Sequence, residues 1–408
     1  MTSLARGLLS FRMRKVIKFS IFFLIAVLAP FVIANEALRW TWYRNYPLAK
    51  ITRWDTQLIY CLKPNFSGHF PIGLVTGDAW KGKNAYWQLK INSQQIRSPY
   101  KVNPKTANSY RIVCLGDSIT FGLEVDDQYT YPAQLQSILN NSSGRPLNAE
   151  VINAGVWGFS SRQGLVYLEQ RLLKYEPDLV ILEFGINDGQ SSLMARYPDR
   201  EIIRGDIASG WKKIYASPLS AFFLVIDVQP LVVFSKHLIL MMRVGILMAN
   251  LGQIDKAGIK TRGIGQENIN SRRYHKLRVP PKDFRDNYLQ FIALSKQEGF
   301  GLMFYIPYGV PEVFRKQILS LANQYRIPVL DFSDRYESIT LKELTSHPEY
   351  NRLLGYYRNK VGDEFLKKHP RFLISTDNGV HLNAVGNRVV AEDMARIILS
   401  NYTVPAKP

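Results

Sequence analysis

The stretch Arg111-Ile112-Val113-Cys114-Leu115-Gly116-Asp117-Ser118-Ile119-Thr120-Phe121-Gly122 decides how the rest of the chain is interpreted. It opens with a short apolar run, which is typical of a strand buried on both faces. The Gly-Asp-Ser triplet then predicts a tight turn, and a helix can begin directly after the serine. A serine in that position lies beside a helix N-terminus, where backbone N–H groups can stabilise an anion. Open α/β sheets place their ligand sites at this edge.

From Tyr110 onward, strand-like apolar runs alternate with helical patterns, which indicates a parallel sheet covered by helices. The predicted strands are Arg111–Leu115, Glu150–Asn153, Leu179–Phe184, Leu302–Ile306 and Val329–Phe332. Apolar residues at helical spacing and a proline in a first turn predict helices at Ser161–Tyr175, Phe284–Glu298, Pro311–Gln324 and Ala384–Ser400. We therefore predict an α/β fold with a five-stranded parallel sheet, in a main domain that covers residues 106–408.

Two regions fall outside this alternation. Residues 36–105 are rich in aromatic residues, glycine and proline, and extended runs such as Tyr86–Asn92 predict a small β-rich N-terminal module. Residues 189–280 form an insertion, in which Ser217–Leu251 is strongly apolar but is interrupted by charges, so that a second transmembrane helix is not expected. Helices packed on the sheet, a cap over the site and a membrane-facing patch all stay open for this helical insertion.

Residues 1–35 predict a membrane anchor or a signal segment. Residues 1–18 carry five basic side chains and no acidic one, and Phe19–Ala34 carries no charge. By the positive-inside rule the basic flank stays in the cytoplasm, so the catalytic part is predicted to lie outside the cytoplasmic membrane. The apolar segment is slightly short for a spanning helix, and Val32-x-Ala34 also suits a signal peptidase. A single-pass anchor and a cleaved signal on a secreted protein both stay open.

Composition narrows the class of protein. The 52 Lys and Arg residues against 33 Asp and Glu residues give a net charge of +19, which favours anionic surroundings such as a lipid surface or an acidic polysaccharide. The sequence has no compact basic run or nucleic-acid motif, so no nucleic-acid partner is expected. Its two cysteines are too few for a disulfide framework, and Cys114 is predicted to be a buried small hydrophobe.

Four short motifs each lie at the carboxyl end of a predicted strand or on a loop that enters a helix. They are Gly116-Asp117-Ser118, Asn153-Ala154-Gly155, Gly185-Ile186-Asn187-Asp188 and Thr376–Asn383. Taken alone, each has an ordinary structural explanation, such as a helix N-cap for Ser118 or a turn or cap carboxylate for Asp188. Because the carboxyl ends of parallel strands meet at one edge, the four motifs together favour a single catalytic site.

The side chains of these motifs suit acyl transfer. A serine hydroxyl needs an adjacent base, and His381 can supply one because imidazole titrates near neutrality. The oxyanion of a tetrahedral intermediate needs preorganised donors, and the candidates are the N–H groups of Ser118 and Gly155 and the amide of Asn187. The histidines have no metal-ligand spacing, and no glycine-rich phosphate loop is present, so neither a metal nor another cofactor is predicted.

In this order and spacing, the four motifs resemble those of the SGNH hydrolases, also called the GDSL esterase/lipase superfamily. The resemblance covers about Arg111–Asn401, without the insertion, and is to membrane-anchored or secreted bacterial members. It implies a flavodoxin-like three-layer α/β/α fold. It also implies Ser118 as nucleophile and His381 as base, with Ser118, Gly155 and Asn187 as the oxyanion-hole donors.

The orienting acid departs from the family pattern. The last motif of the family is Asp-x-x-His, but Asn378 stands three residues before His381, and the acid, Asp377, stands four before. Either Asp377 reaches the imidazole as the third catalytic residue, or the site operates as a Ser–His dyad.

The expected function is that of an extracytoplasmic serine esterase. Its substrate would be an O-acyl, acetyl-type ester of a carbohydrate or a lipid, and the reaction would pass through an acyl-enzyme. An O-acyltransferase that modifies a cell-surface polysaccharide would use the same residues. A non-catalytic glycan-binding protein on the same fold is the third alternative.

Overall fold

We describe the fold from a computed structural model. It describes Ala26 and residues 50–55, 57–73, 84–141, 147–190, 199–202, 277–376 and 379–403. Nearly all of them belong to one compact unit, formed by Thr52–Ile214 and Lys260–Pro408. Of the second unit, Met1–Ile51 with Tyr215–Ile259, only Ala26, Lys50 and Ile51 are described. The predicted anchor or signal and most of the insertion therefore lie outside the described residues. Within the described ranges, no helix combines the length and hydropathy needed to cross a membrane.

A five-stranded parallel sheet forms the centre of the compact unit, and its strands lie in the order Ala149–Gly155, Tyr110–Gly116, Leu179–Glu183, Gly301–Ile306 and Val329–Asp331. Its strands are β5 (Tyr110–Gly116), β6 (Ala149–Gly155), β7 (Leu179–Glu183), β8 (Gly301–Ile306) and β9 (Val329–Asp331). These are the five predicted strands, with ends shifted by at most a few residues. Gly116 pairs with Gly155 on one side and with Glu183 on the other, so the three strands end level. The chain segments that leave these ends are thereby brought to one edge.

Helices cover the sheet in a three-layer α/β/α arrangement, as predicted. The described α-helices are α1 (Ser118–Phe121), α2 (Tyr131–Asn140), α3 (Ser161–Tyr167), α4 (Asp199–Ile202), α5 (Pro281–Glu298), α6 (Glu312–Tyr325), α7 (Ser333–Ser338), α8 (Leu341–Ser346), α9 (Pro348–Val361), α10 (Asp363–Lys368) and α11 (Ala384–Asn401). The predicted helix Ser161–Tyr175 is not uniform: after α3 the chain continues as a π-helical turn, Leu168–Leu172, and a 3-10 turn, Leu173–Tyr175. The predicted α5, α6 and α11 are confirmed, with small shifts at their ends.

The N-terminal module contains two antiparallel hairpins, which confirms its strand-rich character. They pair β1 (Thr52–Asp55) with β2 (Ile59–Leu62), and β3 (Phe66–Pro71) with β4 (Tyr86–Ile91). The buried Arg97 guanidinium joins this module to the segment after α1, because it donates hydrogen bonds to the carbonyls of Phe121, Gly122 and Val125. Both cysteines are free and buried, and Cys114 lies in the sheet, as expected.

Candidate active site

Ser118 is the first residue of α1 and follows β5 by a single residue. The intervening Asp117 is the N-cap of the helix, because its side chain accepts a hydrogen bond from the Ile119 N–H at 2.9 Å. The ordinary explanation of Ser118 as a helix cap is therefore wrong. Its hydroxyl is left to project from the edge of the sheet, and the residue is half-buried.

His381 supplies the group that meets this hydroxyl. Its Nε2 lies 3.0 Å from the Ser118 Oγ, although the two residues are 263 positions apart in the chain. The main chain around the histidine is fixed, because the His381 carbonyl accepts from the Thr376 N–H at 2.9 Å. On the other side Asn383 caps α11 by accepting from the N–H groups of Val385 and Gly386. Both ends of the loop therefore hold the imidazole against the serine.

The choice of orienting residue stays a prediction. Asp377 and Asn378 lie outside the described residues. The structure thus places the serine and the histidine together and gives no position for the predicted acid.

Asn187 lies on the same edge, after β7, and is 7% exposed. Its Nδ2 donates to the Asp117 Oδ2 at 2.6 Å, which turns the amide toward the nucleophile turn. An amide nitrogen carries two hydrogens, so this bond leaves a second donor. Asp117 is therefore a positioning residue for two features, the start of α1 and the Asn187 amide.

A second carboxyl group, Glu183, lies beneath this turn and is fully buried at the end of β7. Its Oε2 accepts from the Asp117 N–H and from the Thr120 hydroxyl, both at 3.0 Å. Burial, followed by the charge of Asp117, raises the pKa of Glu183 well above its usual range. Sequence reasoning missed this residue, although an acid inside the apolar run Leu179–Phe184 was the available signal.

The Gly155 N–H is already engaged within its own loop. That N–H donates to the Asn153 Oδ1 at 3.1 Å. A Cβ built on Gly155 would lie 2.1 Å from the Phe121 nitrogen, so the glycine permits α1 to pack on the sheet. The structure gives Gly155 this packing role in place of the predicted oxyanion role, because its only N–H is already used.

Gly158, another glycine of the same loop, has a backbone N–H that is available as a donor, unlike that of Gly155. Its φ is +76°, a conformation that favours glycine, and among the described residues its N–H has no acceptor. The peptide is held from both sides: the Gly158 carbonyl accepts from the Arg278 Nη1 at 2.7 Å, and the Trp157 carbonyl accepts from the Tyr60 hydroxyl at 3.0 Å. Sequence reasoning stopped at the first glycine after the strand and missed this one.

Arg278 and Asp199 form a buried ion pair beside this turn, with side chains 2% and 0% exposed. The guanidinium lies 3.1 and 3.2 Å from the Asp199 Oδ2 and donates to the Gln163 Oε1 at 2.7 Å. The Asp199 N–H also donates to the Arg278 carbonyl at 2.7 Å. The Arg278 guanidinium thereby links Asp199 to the turn that carries Gly158.

Asp188 binds the first turn of α3, whose N-cap is Ser160. Its Oδ1 accepts from the Ser161 N–H at 2.9 Å and from the Ser161 hydroxyl at 2.6 Å, at the start of α3. Burial raises the pKa of Asp188 to about 7. This carboxyl group therefore stabilises a helix start.

The part of the chain that the structure describes contains no group of three or more His, Cys, Asp or Glu side chains able to hold a metal ion.

Comparison with known proteins finds similarity to esterases and acylhydrolases. Residues 114–235 match the model of the GDSL-like lipase/acylhydrolase family, a range that includes Ser118 and Asn187. An arylesterase of Vibrio mimicus is 33% identical over 81 residues, which are 20% of this chain and 39% of that protein. Thioesterase 1/protease 1/lysophospholipase L1 of Escherichia coli is 31% identical over 85 residues, 21% of this chain and 38% of that protein. An acetylxylan esterase of Xylanibacter ruminicola is 30% identical over 93 residues, 20% of this chain and 18% of that protein. The chain thus spans less than two fifths of the length of each of these curated relatives.

Proposed function

We propose that this chain, which belongs to the GDSL-like lipase/acylhydrolase (SGNH) family, is a serine ester hydrolase. The observation that carries the proposal is the 3.0 Å separation of the Ser118 Oγ and the His381 Nε2. A base within hydrogen-bonding distance is what a serine hydroxyl needs in order to act as a nucleophile.

In the proposed reaction the Ser118 oxygen attacks the ester carbonyl carbon while its proton passes to the His381 Nε2. The carbonyl oxygen becomes an oxyanion, which is stabilised by the N–H of Ser118, the second amide hydrogen of Asn187 and the N–H of Gly158. As the tetrahedral intermediate collapses, the C–O bond to the alcohol breaks and the histidine gives its proton to the leaving oxygen. Water then repeats the sequence on the acyl-serine and releases the acid.

We propose an O-acyl, acetyl-type ester of a carbohydrate as the substrate class, with a lipid ester as the alternative. The named activities of the relatives include acetylxylan ester hydrolysis for one and lysophospholipid hydrolysis for another. The location proposed is outside the cytoplasmic membrane. It rests on the basic residues that precede the uncharged segment Phe19–Ala34.

Hydrolysis of p-nitrophenyl acetate by the purified chain tests the proposal. Wild-type protein is expected to turn the ester over, and Ser118→Ala to lower kcat by roughly 10⁴-fold or more. Ser400→Ala is the matched control, because Ser400 is exposed near the end of α11, and it is expected to retain full activity. Activity that survives Ser118→Ala would refute the assignment.

The same assay separates hydrolysis from acyl transfer. If an oligosaccharide acceptor raises turnover and appears as its acetyl ester, while water alone gives little acetate, the chain is an O-acyltransferase. If neither product forms and folding is intact, the non-catalytic glycan-binding alternative is favoured.

A further inference from the structure

Ser118 and His381 belong to segments that are far apart in the chain. Ser118 begins α1 directly after the sheet, whereas His381 lies three residues before the start of α11. The 3.0 Å between the Ser118 Oγ and the His381 Nε2 therefore depends on how these two segments are held relative to each other. The start of α2 contacts both of them.

The Asn387 side chain, at the end of the first turn of α11, connects the histidine loop to α2. It is 1% exposed. Its Nδ2 donates to the carbonyls of Leu382 and Asn383, both at 2.9 Å, and its Oδ1 accepts from the Tyr131 N–H at 2.8 Å. Both amide hydrogens are thus used. Since Leu382 directly follows His381, this amide joins the main chain beside the base to the first residue of α2.

This contact takes the place of a local helix cap. Thr130 is the N-cap of α2, but its side chain makes no capping hydrogen bond, and its hydroxyl donates to the Asp127 carbonyl at 3.0 Å. The first N–H groups of a helix need an acceptor from outside the helix. For Tyr131 that acceptor is Asn387, which lies 256 positions away along the chain.

Gln134 makes the reverse connection, from α2 to the start of α11. It is 5% exposed, and its Nε2 donates to the Ala384 carbonyl at 3.1 Å and to the Tyr129 carbonyl at 2.8 Å. Burying a side-chain amide costs free energy unless its hydrogen bonds are made, so each amide favours the one arrangement in which its partners are in place. Gln134 and Asn387 together, here called the amide bridge, fix the first turns of the two helices against each other.

The Tyr131 side chain extends this connection to the nucleophile. Its hydroxyl lies 2.9 Å from the Thr120 Oγ1, and the Thr120 hydroxyl donates to the Glu183 Oε2 at 3.0 Å. Thr120 is fully buried and lies two residues after Ser118 in α1. The first residue of α2 is therefore held by the histidine loop at its N–H and by the nucleophile helix at its hydroxyl.

We propose that Asn387 and Gln134 are positioning residues that hold His381 at the Ser118 hydroxyl, a role that rests on the ester hydrolysis proposed above. Their hydrogen bonds go to main-chain atoms, and an amide does not titrate, so they act on geometry and not on proton transfer itself. A displacement of about 1 Å can slow a reaction about 10²-fold. Loss of either amide should therefore slow the activation of Ser118.

Fluorophosphonate labelling of Ser118 in the full chain, with and without the base, tests this role. Asn387→Leu and Gln134→Met keep nearly the same side-chain shape and remove the amide. With His381 present, we expect labelling to slow at least tenfold in Asn387→Leu and at least threefold in Gln134→Met. In the His381→Ala background each should change the rate by less than twofold, because no imidazole remains to be positioned. A merely structural role would slow labelling by the same factor in both backgrounds.

The same two helices offer matched controls, Asn401→Leu in α11 and Gln136→Met in α2. Both side chains are exposed. The Asn401 Nδ2 donates to the Ile397 carbonyl at 2.8 Å, within its own helix, and the Gln136 Oε1 accepts from the Val151 N–H at 2.7 Å. Both variants lose an amide hydrogen bond but keep the amide bridge, so they are expected to label at the wild-type rate.

Two results would overturn the positioning role while the esterase assignment stands. One is a wild-type labelling rate in a folded Asn387→Leu or Gln134→Met protein, and the other is an equal slowing with and without His381. Circular dichroism identifies the folded variants, and either variant alone decides the question. Absence of label on Ser118 in the wild type is a different outcome, because it would refute ester hydrolysis and the positioning role with it.

Discussion

Replacing Arg278 by methionine should lower the free energy of unfolding, because it breaks the buried ion pair with Asp199. The substitution removes the guanidinium and leaves the fully buried Asp199 carboxylate with the Ser160 hydroxyl, at 2.7 Å, as its remaining side-chain partner. Removing one partner of a buried pair costs about 3–5 kcal/mol. For a compact unit of this size that corresponds to roughly 6–10 °C in Tm.

Two comparison variants test whether the stability lost in Arg278→Met comes from the unpaired charge of Asp199. Arg200→Met removes an arginine that is 55% exposed and lies 3.1 Å from Asp283, so its effect should stay within about 1 kcal/mol. The double variant Asp199→Asn/Arg278→Met removes both charges and should recover most of the lost stability. Thermal unfolding of the wild type, Asp199→Asn, Arg278→Met and the double variant gives the coupling free energy of the pair.

Arg278→Lys examines the catalytic consequence. It keeps the positive charge near Asp199, but an ammonium does not have the planar fork that holds the Gly158 carbonyl and the Gln163 amide oxygen at once, both at 2.7 Å. We expect kcat for p-nitrophenyl acetate to fall at least tenfold while KM changes little, because the Gly158 turn loses its fixed position. Wild-type kcat in a folded Arg278→Lys protein would refute the reasoning that this arginine positions the turn.

Three further predictions concern the nucleophile edge. Asn187→Ala should lower kcat about 10²–10³-fold in steady-state kinetics, with a folded protein, because an oxyanion donor is lost; an unchanged kcat would exclude it from the oxyanion hole. Gly155→Ala should lower Tm, because the added Cβ would lie 2.1 Å from the Phe121 nitrogen; a neutral effect would contradict its packing role. Burial raises the pKa of Asp188 from 3.8 to about 7, so the folded protein binds this proton more tightly than the unfolded chain and loses stability as pH rises between these values. The free energy of unfolding of Asp188→Asn, measured with urea, should therefore rise by up to about 4 kcal/mol relative to that of the wild type between pH 4 and pH 8. Parallel pH profiles of the two proteins would contradict the raised pKa of Asp188.

The central sheet could be predicted from sequence because its strands are buried on both faces. Such strands are largely apolar, as in Leu179–Glu183, where all five residues are buried and Glu183 alone is polar, and their order along the chain alternates with helices. The pairing of Ser118 with His381 followed from the same topology, since both lie where strand ends converge. Local patterns were sufficient here because burial and backbone geometry act over a few residues.

Sequence reasoning did not find features that depend on tertiary contacts. The pattern after β6 could not show that the Asn153 side chain takes the Gly155 N–H, which leaves Gly158 as the glycine with an available donor. Nor could it pair Asp199 with Arg278, because 79 positions separate them along the chain. Side-chain hydrogen bonds between distant segments leave no periodic signal in the sequence.

The rate at which a fluorophosphonate labels the chain tests directly whether His381 activates Ser118, because the reaction requires an activated serine. Intact mass and peptide mapping identify the site, and the His381→Ala variant, shown to be folded by circular dichroism, gives the contribution of the base. We expect one adduct, on Ser118, and labelling slowed about 10²–10⁴-fold without the histidine. An adduct on another residue, or an equal rate in His381→Ala, would contradict the assignment of Ser118 and His381 as nucleophile and base.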